Sequence, residues 1–214
     1  MTPTEGVIKF ELAFSPGPPP PRHWLTELDA WREIFRRLGL LGQDPARYDG
    51  FGFGNLSRRS PDRSDHAFLI SATQTGNLKR LQASDYVRVV ACDSEQNRVV
   101  AEGVNKPSSE ALSHAVLYQA HGAIDWVMHL HSPDIFACRH RLQLPCTAES
   151  AAYGTVAMAR EIDRLARDPA ANLPLLIVMG GHQDGILACG SNVHEVGKLV
   201  VANLAEALRL QGSL

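Results

Sequence analysis

The sequence predicts an α/β fold with helices layered on a central mixed, largely antiparallel sheet, rather than a doubly wound parallel one. Three observations carry this. Strand and helix patterns alternate irregularly along the 214 residues, where regular βαβ repetition would signal a parallel sheet. A turn signal at residues 93–97 joins two short apolar runs as a hairpin. A second tight turn, Gly180-Gly181-His182-Gln183-Asp184-Gly185, joins the apolar runs 175–179 and 186–189. No internal repeat is visible.

The elements follow in order. Residues 7–14 set Ile8, Phe10, Leu12 and Phe14 on one face against Lys9 and Glu11 on the other, the pattern of a half-buried strand. The run Ser15-Pro16-Gly17-Pro18-Pro19-Pro20-Pro21 stops that strand and is extended and stiff, in the manner of polyproline II. Residues 1–23 therefore read as a strand and linker packed on the domain formed by residues 24–214. From Trp24, the residues Leu28, Trp31, Ile34, Phe35 and Leu38 fall at helical spacing, with Gly39 and Gly42 at the end. A glycine-rich turn spans residues 49–57. Residues 67–71 form a strand, 72–76 a polar loop and 78–81 a helical turn. Residues 86–91 and 98–101 are the two arms of the hairpin.

Pro107 and Ser108 open a helix that runs to about His121, with Leu112, Ala115, Val116 and Gln119 in register. Residues 125–131 form a strand, 133–139 a short helix and 150–167 a longer one with Val156, Ile162 and Leu165 on one side. Asn192 caps the last helix, and Glu195 three residues on completes the capping-box pattern. Val193, Val196, Val200, Leu204, Ala207 and Leu208 give that helix its apolar face.

Composition excludes several functions. A chain of this length holds one sizeable domain with a full core. The 44% hydrophobic and 21% charged fractions are those of an ordinary soluble globular protein. A net charge of -2 gives no electrostatic case for nucleic acid or an anionic membrane as partner. No apolar run is long enough to span a bilayer. Arg58, Arg59 and Arg63 are interleaved with Asp62 and Asp65 and read as a solvated loop. Cys92, Cys138, Cys146 and Cys189 form no CxxC pair and match no structural zinc spacing. They are expected to be reduced, buried thiols of a cytoplasmic protein. Met1-Thr2-Pro3-Thr4-Glu5 lacks the basic and apolar regions of a signal peptide.

The chemistry centres on His129-Leu130-His131. Side chains at i and i+2 of a strand share a face, so both imidazoles can reach one metal ion. The plainer reading is two polar residues on a solvated face. Trp126, Met128 and Leu130 make the other face apolar, so the strand reads as buried, and buried imidazoles need partners. A catalytic zinc takes three protein ligands and keeps one open position. His182 is the natural third, with Asp184 on the same turn as a competing oxygen ligand; alternatively His182 is an exposed hairpin tip. His114 and His121 read as surface or packing residues.

Glu110 stands at the start of a helix, where a carboxylate either stabilises the helix dipole or serves as a general acid/base tuned by a metal and burial. Ser108 and Ser109 before it are either the helix cap or part of an anion site made by free backbone N–H groups. Gly54-Asn55 and Thr75-Gly76 are small polar turns, able to bring N–H groups to a phosphate or to serve as plain turns.

Together these segments resemble the class II aldolase/adducin family. Gly54-Asn55-Leu56-Ser57-Arg58 is similar to its GN(hydrophobic)S motif. Phe68-Leu69-Ile70-Ser71 with Thr75-Gly76 is similar to its apolar strand and TG loop. Lys106-Pro107-Ser108-Ser109-Glu110, with His114 and Tyr118, is similar to its PSSE helix. His129-Leu130-His131-Ser132 is similar to its HxH metal strand, and residues 181–189 to its third-ligand turn. The motifs run in order between Trp24 and Leu208.

The resemblance implies a three-layer α/β/α fold, usually a homotetramer. It implies Zn2+ or another divalent metal held by His129, His131 and His182, with Glu110 as the catalytic acid/base. It implies a small phosphorylated substrate whose phosphate lies against Asn55, Thr75, Gly76, Ser108 and Ser109. The implied reaction is aldolase cleavage of a carbon–carbon bond in a sugar phosphate through a metal-stabilised enediolate. A sugar-phosphate 4-epimerase, a dehydratase and a non-catalytic adducin-like binding module are the family's alternatives. Three departures stand out. The family's third histidine directly precedes a glycine, whereas here Asp184 does and His182 lies two residues earlier. Ala72-Thr73-Gln74 lengthen the TG loop. The stretch from His131 to Tyr153 is short where the aldolases carry a tyrosine that donates a proton across subunits, and residues 209–214 supply none either.

Overall fold

The structure is a computed structural model that describes residues 7–62 and 67–212. Met1-Thr2-Pro3-Thr4-Glu5, and the Arg63 and Asp65 of the basic loop, lie outside the described residues. The chain forms β1 (Glu11–Pro16), α1 (Thr26–Arg37), β2 (Gly42–Gln43), β3 (Gly52–Phe53), β4 (Asn55–Arg59) and β5 (Phe68–Ser71). There follow β6 (Tyr86–Asp93), β7 (Arg98–Gly103), α2 (Ala111–Ala120), β8 (Trp126–His131), α3 (Pro133–Cys138) and α4 (Val156–Ala166). The chain closes with β9 (Leu175–Val178), β10 (Gly185–Gly190) and α5 (Val193–Gln211).

Eight strands build the central sheet in the order β1-β7-β6-β5-β4-β8-β10-β9. The β1–β7 pair is parallel and the other pairs are antiparallel. This is the mixed, largely antiparallel sheet expected. Hairpins β6–β7 and β9–β10 form where the turn signals stood. β2 and β3 make a separate two-stranded ribbon.

Alternation along the strands splits the core in two, because side chains of period 2 must leave by opposite faces. One face presents Phe68, Ile70, Val87, Val89, Val127 and Leu187 to α2 and α4. The other presents Leu56, Leu69, Met128, Leu130 and Ile186 to α1, α3 and α5. The result is three layers. Fully buried side chains such as Phe35, Leu117 and Ile162 each contribute about 1.5–3 kcal/mol relative to exposure. Of α2, residues 111–118 are all buried, because the helix is covered by both the sheet and α4. Asn192 caps α5, its Oδ1 accepting from the backbone N–H groups of His194 and Glu195.

Several readings of the sequence are corrected. The end of the glycine-rich turn and the start of the basic loop, residues 55–59, form β4, because pairing with β5 and β8 draws them into the sheet; Arg58 and Arg59 are half-buried there rather than in a solvated loop. The first strand begins at Glu11 and runs to Pro16, since pairing with β7 starts there; Phe10 is buried just ahead of it. Pro107 and Ser108 are not helical. The Ser108 N–H bonds Ser71 O at 3.2 Å, the Thr73 N–H bonds Lys106 O at 3.1 Å, and Pro107 bridges Ala72. That pairing holds the segment extended, and α2 starts at Ala111. Residues 78–81 form no helix, because the buried guanidinium of Arg32 claims the carbonyls of Thr75 and Leu78, both at 2.8 Å. α4 starts at Val156 rather than residue 150, with the Thr155 hydroxyl accepting from the Met158 N–H as its cap.

No helix among the described residues is long and apolar enough to cross a membrane. All four cysteines are free.

Candidate metal centre

β8 carries His129 and His131 on the face toward α2 and α4, alternating with Met128 and Leu130 on the opposite face. Both imidazoles are fully buried. Across the ladders His129 faces Asn55 on β4 and Leu187 on β10, and His131 faces Gly185. That glycine makes the third histidine possible. A Cβ at Gly185 would stand 2.4 Å from His182 Cδ2, so only a residue without one leaves room for the His182 ring beside His131. The turn that carries His182 is tight: His182 N–H bonds Met179 O at 3.0 Å and Gly185 N–H bonds His182 O at 2.9 Å.

The three rings converge. His131 Nε2 lies 3.1 Å from His129 Nε2 and 3.1 Å from His182 Nε2. One ligand atom from each lies within 4.8 Å of the others. His129 Nδ1 is 3.2 Å from the Ile186 carbonyl oxygen. A carbonyl only accepts, so Nδ1 carries the proton and Nε2 of the neutral ring turns its lone pair to the cluster. Burial lowers the pKa of all three rings, well below 6.5 for His131 and His182; for His129 the nearby Glu110 charge partly opposes the shift. Mutual repulsion of the rings adds to the effect at His131 and His182, with smaller contributions from Arg47 and Lys9 respectively. The donor set is therefore three neutral imidazoles. A tetrahedral ion with bonds of about 2.0–2.1 Å sets its donors about 3.3 Å apart. The observed separations fit a metal site of three nitrogen ligands and an open position.

Glu110 lies at the N-cap of α2 and is 1% exposed. One carboxylate oxygen accepts from Ser113 Oγ at 2.7 Å. The other, Oε1, is buried and makes no hydrogen bond among the described residues. A buried carboxylate oxygen without a partner is costly unless a ligand meets it. The Ser108 hydroxyl accepts from the Glu110 N–H at 3.2 Å, and Ser108 and Ser109 are both buried. Neither serine caps the helix. The Asn55 side chain is buried opposite His129, and its Oδ1 likewise makes no hydrogen bond among the described residues.

The structure thus gathers His129, His131 and His182, with Asn55 paired to His129 and Glu110 within electrostatic reach of it. Thr75 and Gly76 lie further along the loop stitched to Ser108. The Thr75 hydroxyl donates to Ala72 O at 2.9 Å. Gly76 is where the β2–β3 ribbon crosses: a Cβ there would lie 2.2 Å from Gly42 O and 2.8 Å from Gly52 Cα. The Asp184 carboxylate is not among the converging atoms and accepts from the Tyr48 hydroxyl at 2.9 Å.

Several neighbours of the cluster were not singled out in the sequence. The Tyr48 ring packs on His131 with centroids 4.6 Å apart, and Phe53 lies at 5.5 Å. Burial raises the Tyr48 pKa, keeping the phenol protonated. Tyr153 packs on His182 at 4.4 Å, and the Lys9 ammonium sits 3.3 Å from the centre of the Tyr153 ring. The aromatic residues of the glycine-rich stretch 48–53 were the signal for Tyr48 and Phe53; nothing local marks Lys9. His114 proves fully buried, 2.6 Å from Ser57 Oγ, which also meets the Tyr118 hydroxyl at 2.8 Å. It is a core histidine, not a surface one.

The sequence model described as Class II Aldolase and Adducin N-terminal domain matches residues 41–211. No curated protein matches the chain by sequence. Among solved structures, the fold is shared with L-fuculose-1-phosphate aldolase of Thermus thermophilus, at 16% identity and a TM-score of 0.64, covering 88% of this chain and 92% of that one. It is shared with a sugar-phosphate aldolase of Thermotoga maritima, at 13% identity and a TM-score of 0.64, covering 89% and 96%. It is also shared with YgbL of Escherichia coli, given provisionally as an aldolase/epimerase/decarboxylase, at 19% identity and a TM-score of 0.60, covering 86% and 84%.

Proposed function

The chain belongs to the class II aldolase and adducin family, and on that premise we propose that it is a metal-dependent carbon–carbon lyase acting on a small sugar phosphate or related hydroxy-carbonyl compound. The observation that carries the proposal is the convergence of three neutral, buried imidazoles near a buried carboxylate that has one unbonded oxygen. His129, His131 and His182 hold the ion, zinc being the proposed metal. A divalent ion held there supplies Lewis-acid polarisation of the substrate's carbonyl and hydroxyl oxygens.

The rest of the work falls to the chain's own groups. Glu110 acts as the acid/base. Ser113 holds its Oε2, which leaves Oε1 to take the proton that the substrate hydroxyl loses as the carbon–carbon bond breaks and to deliver it to the carbon freed, the reverse reaction running the same transfers backwards. The Ile186 carbonyl orients His129 through Nδ1. Asn55, Ser108 and Ser109, with Thr75 and Gly76, receive the phosphate. The family resemblance extends the proposal to a cytoplasmic homo-oligomer, a tetramer.

A 4-epimerase or dehydratase of the same family would use the same groups, and its products separate it from a lyase. A non-catalytic, adducin-like role is disfavoured by the intact histidine cluster. The test is to load the purified protein with zinc, cobalt or manganese and offer ketose 1-phosphates and pentulose 5-phosphates. The expected result is metal-dependent cleavage into a three-carbon ketone and an aldehyde, one of the two carrying the phosphate. An epimer, or loss of water, would replace the lyase by its relatives. Failure to bind any divalent metal would remove the enzyme reading altogether.

A further inference from the structure

The two-stranded ribbon ahead of the GN motif reaches into the histidine cluster. Its loop is closed by Gln43 Nε2 donating to Gly50 O at 2.7 Å, and the ribbon lies directly on Gly76. At its tip Tyr48 and Asp49 take φ of 50° and 56°, a left-handed backbone that side-chain-bearing residues seldom adopt. The conformation delivers the Tyr48 ring to His131 and the Tyr48 hydroxyl to Asp184, 136 residues away.

The hydrogen bonds of that hydroxyl have a fixed sense. Arg47 Nη2 can only donate, and it reaches the Tyr48 oxygen at 2.7 Å. The phenolic proton therefore goes to the Asp184 carboxylate at 2.9 Å. Arg47 is itself held by Gly39 O at 2.9 Å, and its guanidinium packs 4.5 Å from the Phe53 ring centre. At the far end, Asp184 also sits at positive φ, 59°, and its carbonyl accepts from the Ser132 N–H at 2.8 Å. One chain of contacts thus ties the ribbon, the residue after His131 and the turn that carries His182.

We infer that Arg47, Tyr48 and Asp184 form a positioning bridge that fixes the His182 turn and withholds the Asp184 carboxylate from the metal position, so that nitrogen rather than oxygen is the third donor. Asp184 lies two residues from His182 and is a hard ligand able to compete for it. Engaging its carboxylate with a phenol leaves three imidazoles, a set that suits zinc over manganese. The metal half of this inference rests on the proposed metal reading; the rigidity half does not. Tyr48 is a positioning residue, because it acts through His131 and Asp184.

Tyr48→Phe keeps the ring on His131 and removes only the hydroxyl. Two measurements follow on the full chain. In metal-free protein, amide hydrogen exchange of residues 182–185 is expected to quicken in Y48F while α4 is unchanged. In loaded protein, zinc affinity by chelator competition is expected to fall by roughly tenfold. The zinc-over-manganese preference should narrow, and the visible absorption bands of the cobalt(II) form should shift. Adding Asp184→Asn to Y48F removes the competing carboxylate and is expected to restore the zinc preference. Unchanged exchange at residues 182–185 overturns the bridge. Quickened exchange with unchanged metal preference and cobalt spectrum overturns the choice of donor. A wild-type protein that binds none of these ions refutes both the donor choice and the proposed function, and the exchange result alone then decides the rigidity half.

Discussion

A single methyl group at Gly185 tests the third ligand from the backbone side. In Gly185→Ala the new Cβ would stand 2.4 Å from His182 Cδ2 and 3.1 Å from its Cγ, where ordinary contact begins at 3.4 Å. The ring edge must therefore retreat by about 1 Å, or the two strands must part. Bonds from zinc to imidazole span only about 2.0–2.1 Å, so a retreat of that size takes His182 out of coordination. Losing a direct ligand costs more than the 10–100-fold that follows from disturbing a supporting group, so zinc affinity should fall by at least about 100-fold. Overpacking should also cost about 1–3 kcal/mol of folding stability. The assay is competition with a chromophoric chelator, beside thermal unfolding of the metal-free protein and with His182→Ala as the matched variant. G185A should match H182A in affinity. A folded G185A that binds zinc as the wild type does would show that His182 is not the third ligand.

Other predictions follow from the same geometry. His129→Ala removes a central ligand and the group that Ile186 orients; metal content and turnover should disappear together, as elemental analysis and product assay will show. Glu110→Gln should keep the metal and lower kcat by about 10²–10⁴-fold, and turnover at the wild-type rate would take Glu110 out of the acid/base role. Metal-free protein should lose stability in acid. His114, His129, His131 and His182 all have pKa values lowered by burial from 6.5. Below about pH 6.5 the unfolded chain binds protons that the folded one refuses. Stability is then full above that pH and declines on acidification, by up to about 1.4 kcal/mol per pH unit for each histidine until its folded pKa is reached. Melting temperatures from pH 8 to pH 5 check this; a flat profile would mean that the rings are not held neutral.

Periodicity made the layers legible. Alternation at Trp126, Met128 and Leu130 against Val127, His129 and His131 set the faces of β8, and the apolar spacing of α1 and α5 set theirs. What periodicity could not carry was where long-range hydrogen bonds override local preference. Pro107 and Ser108 look like a helix start and are instead bonded to the end of β5. Residues 78–81 look like a helical turn, yet two carbonyls at this loop belong to Arg32, far away in sequence. The site divides in the same way. His129 and His131 are two residues apart on one strand, so their shared face is a local fact. Between His182 and Asp184 no local pattern decides: the Tyr48 hydroxyl reaches Asp184 across 136 residues, where the ribbon folds back across Gly76. Lys9, just ahead of β1, meets Tyr153 across 144 residues, a contact that no local pattern announces.

X-ray absorption of the zinc-loaded protein at the zinc edge reads the donor set itself. One equivalent of zinc is expected, with three imidazole nitrogens at about 2.0–2.1 Å and a remaining light-atom ligand from solvent or substrate, and one fewer imidazole in H182A. A shell with only two imidazoles in the wild type, or no stoichiometric zinc after loading, would contradict that donor set.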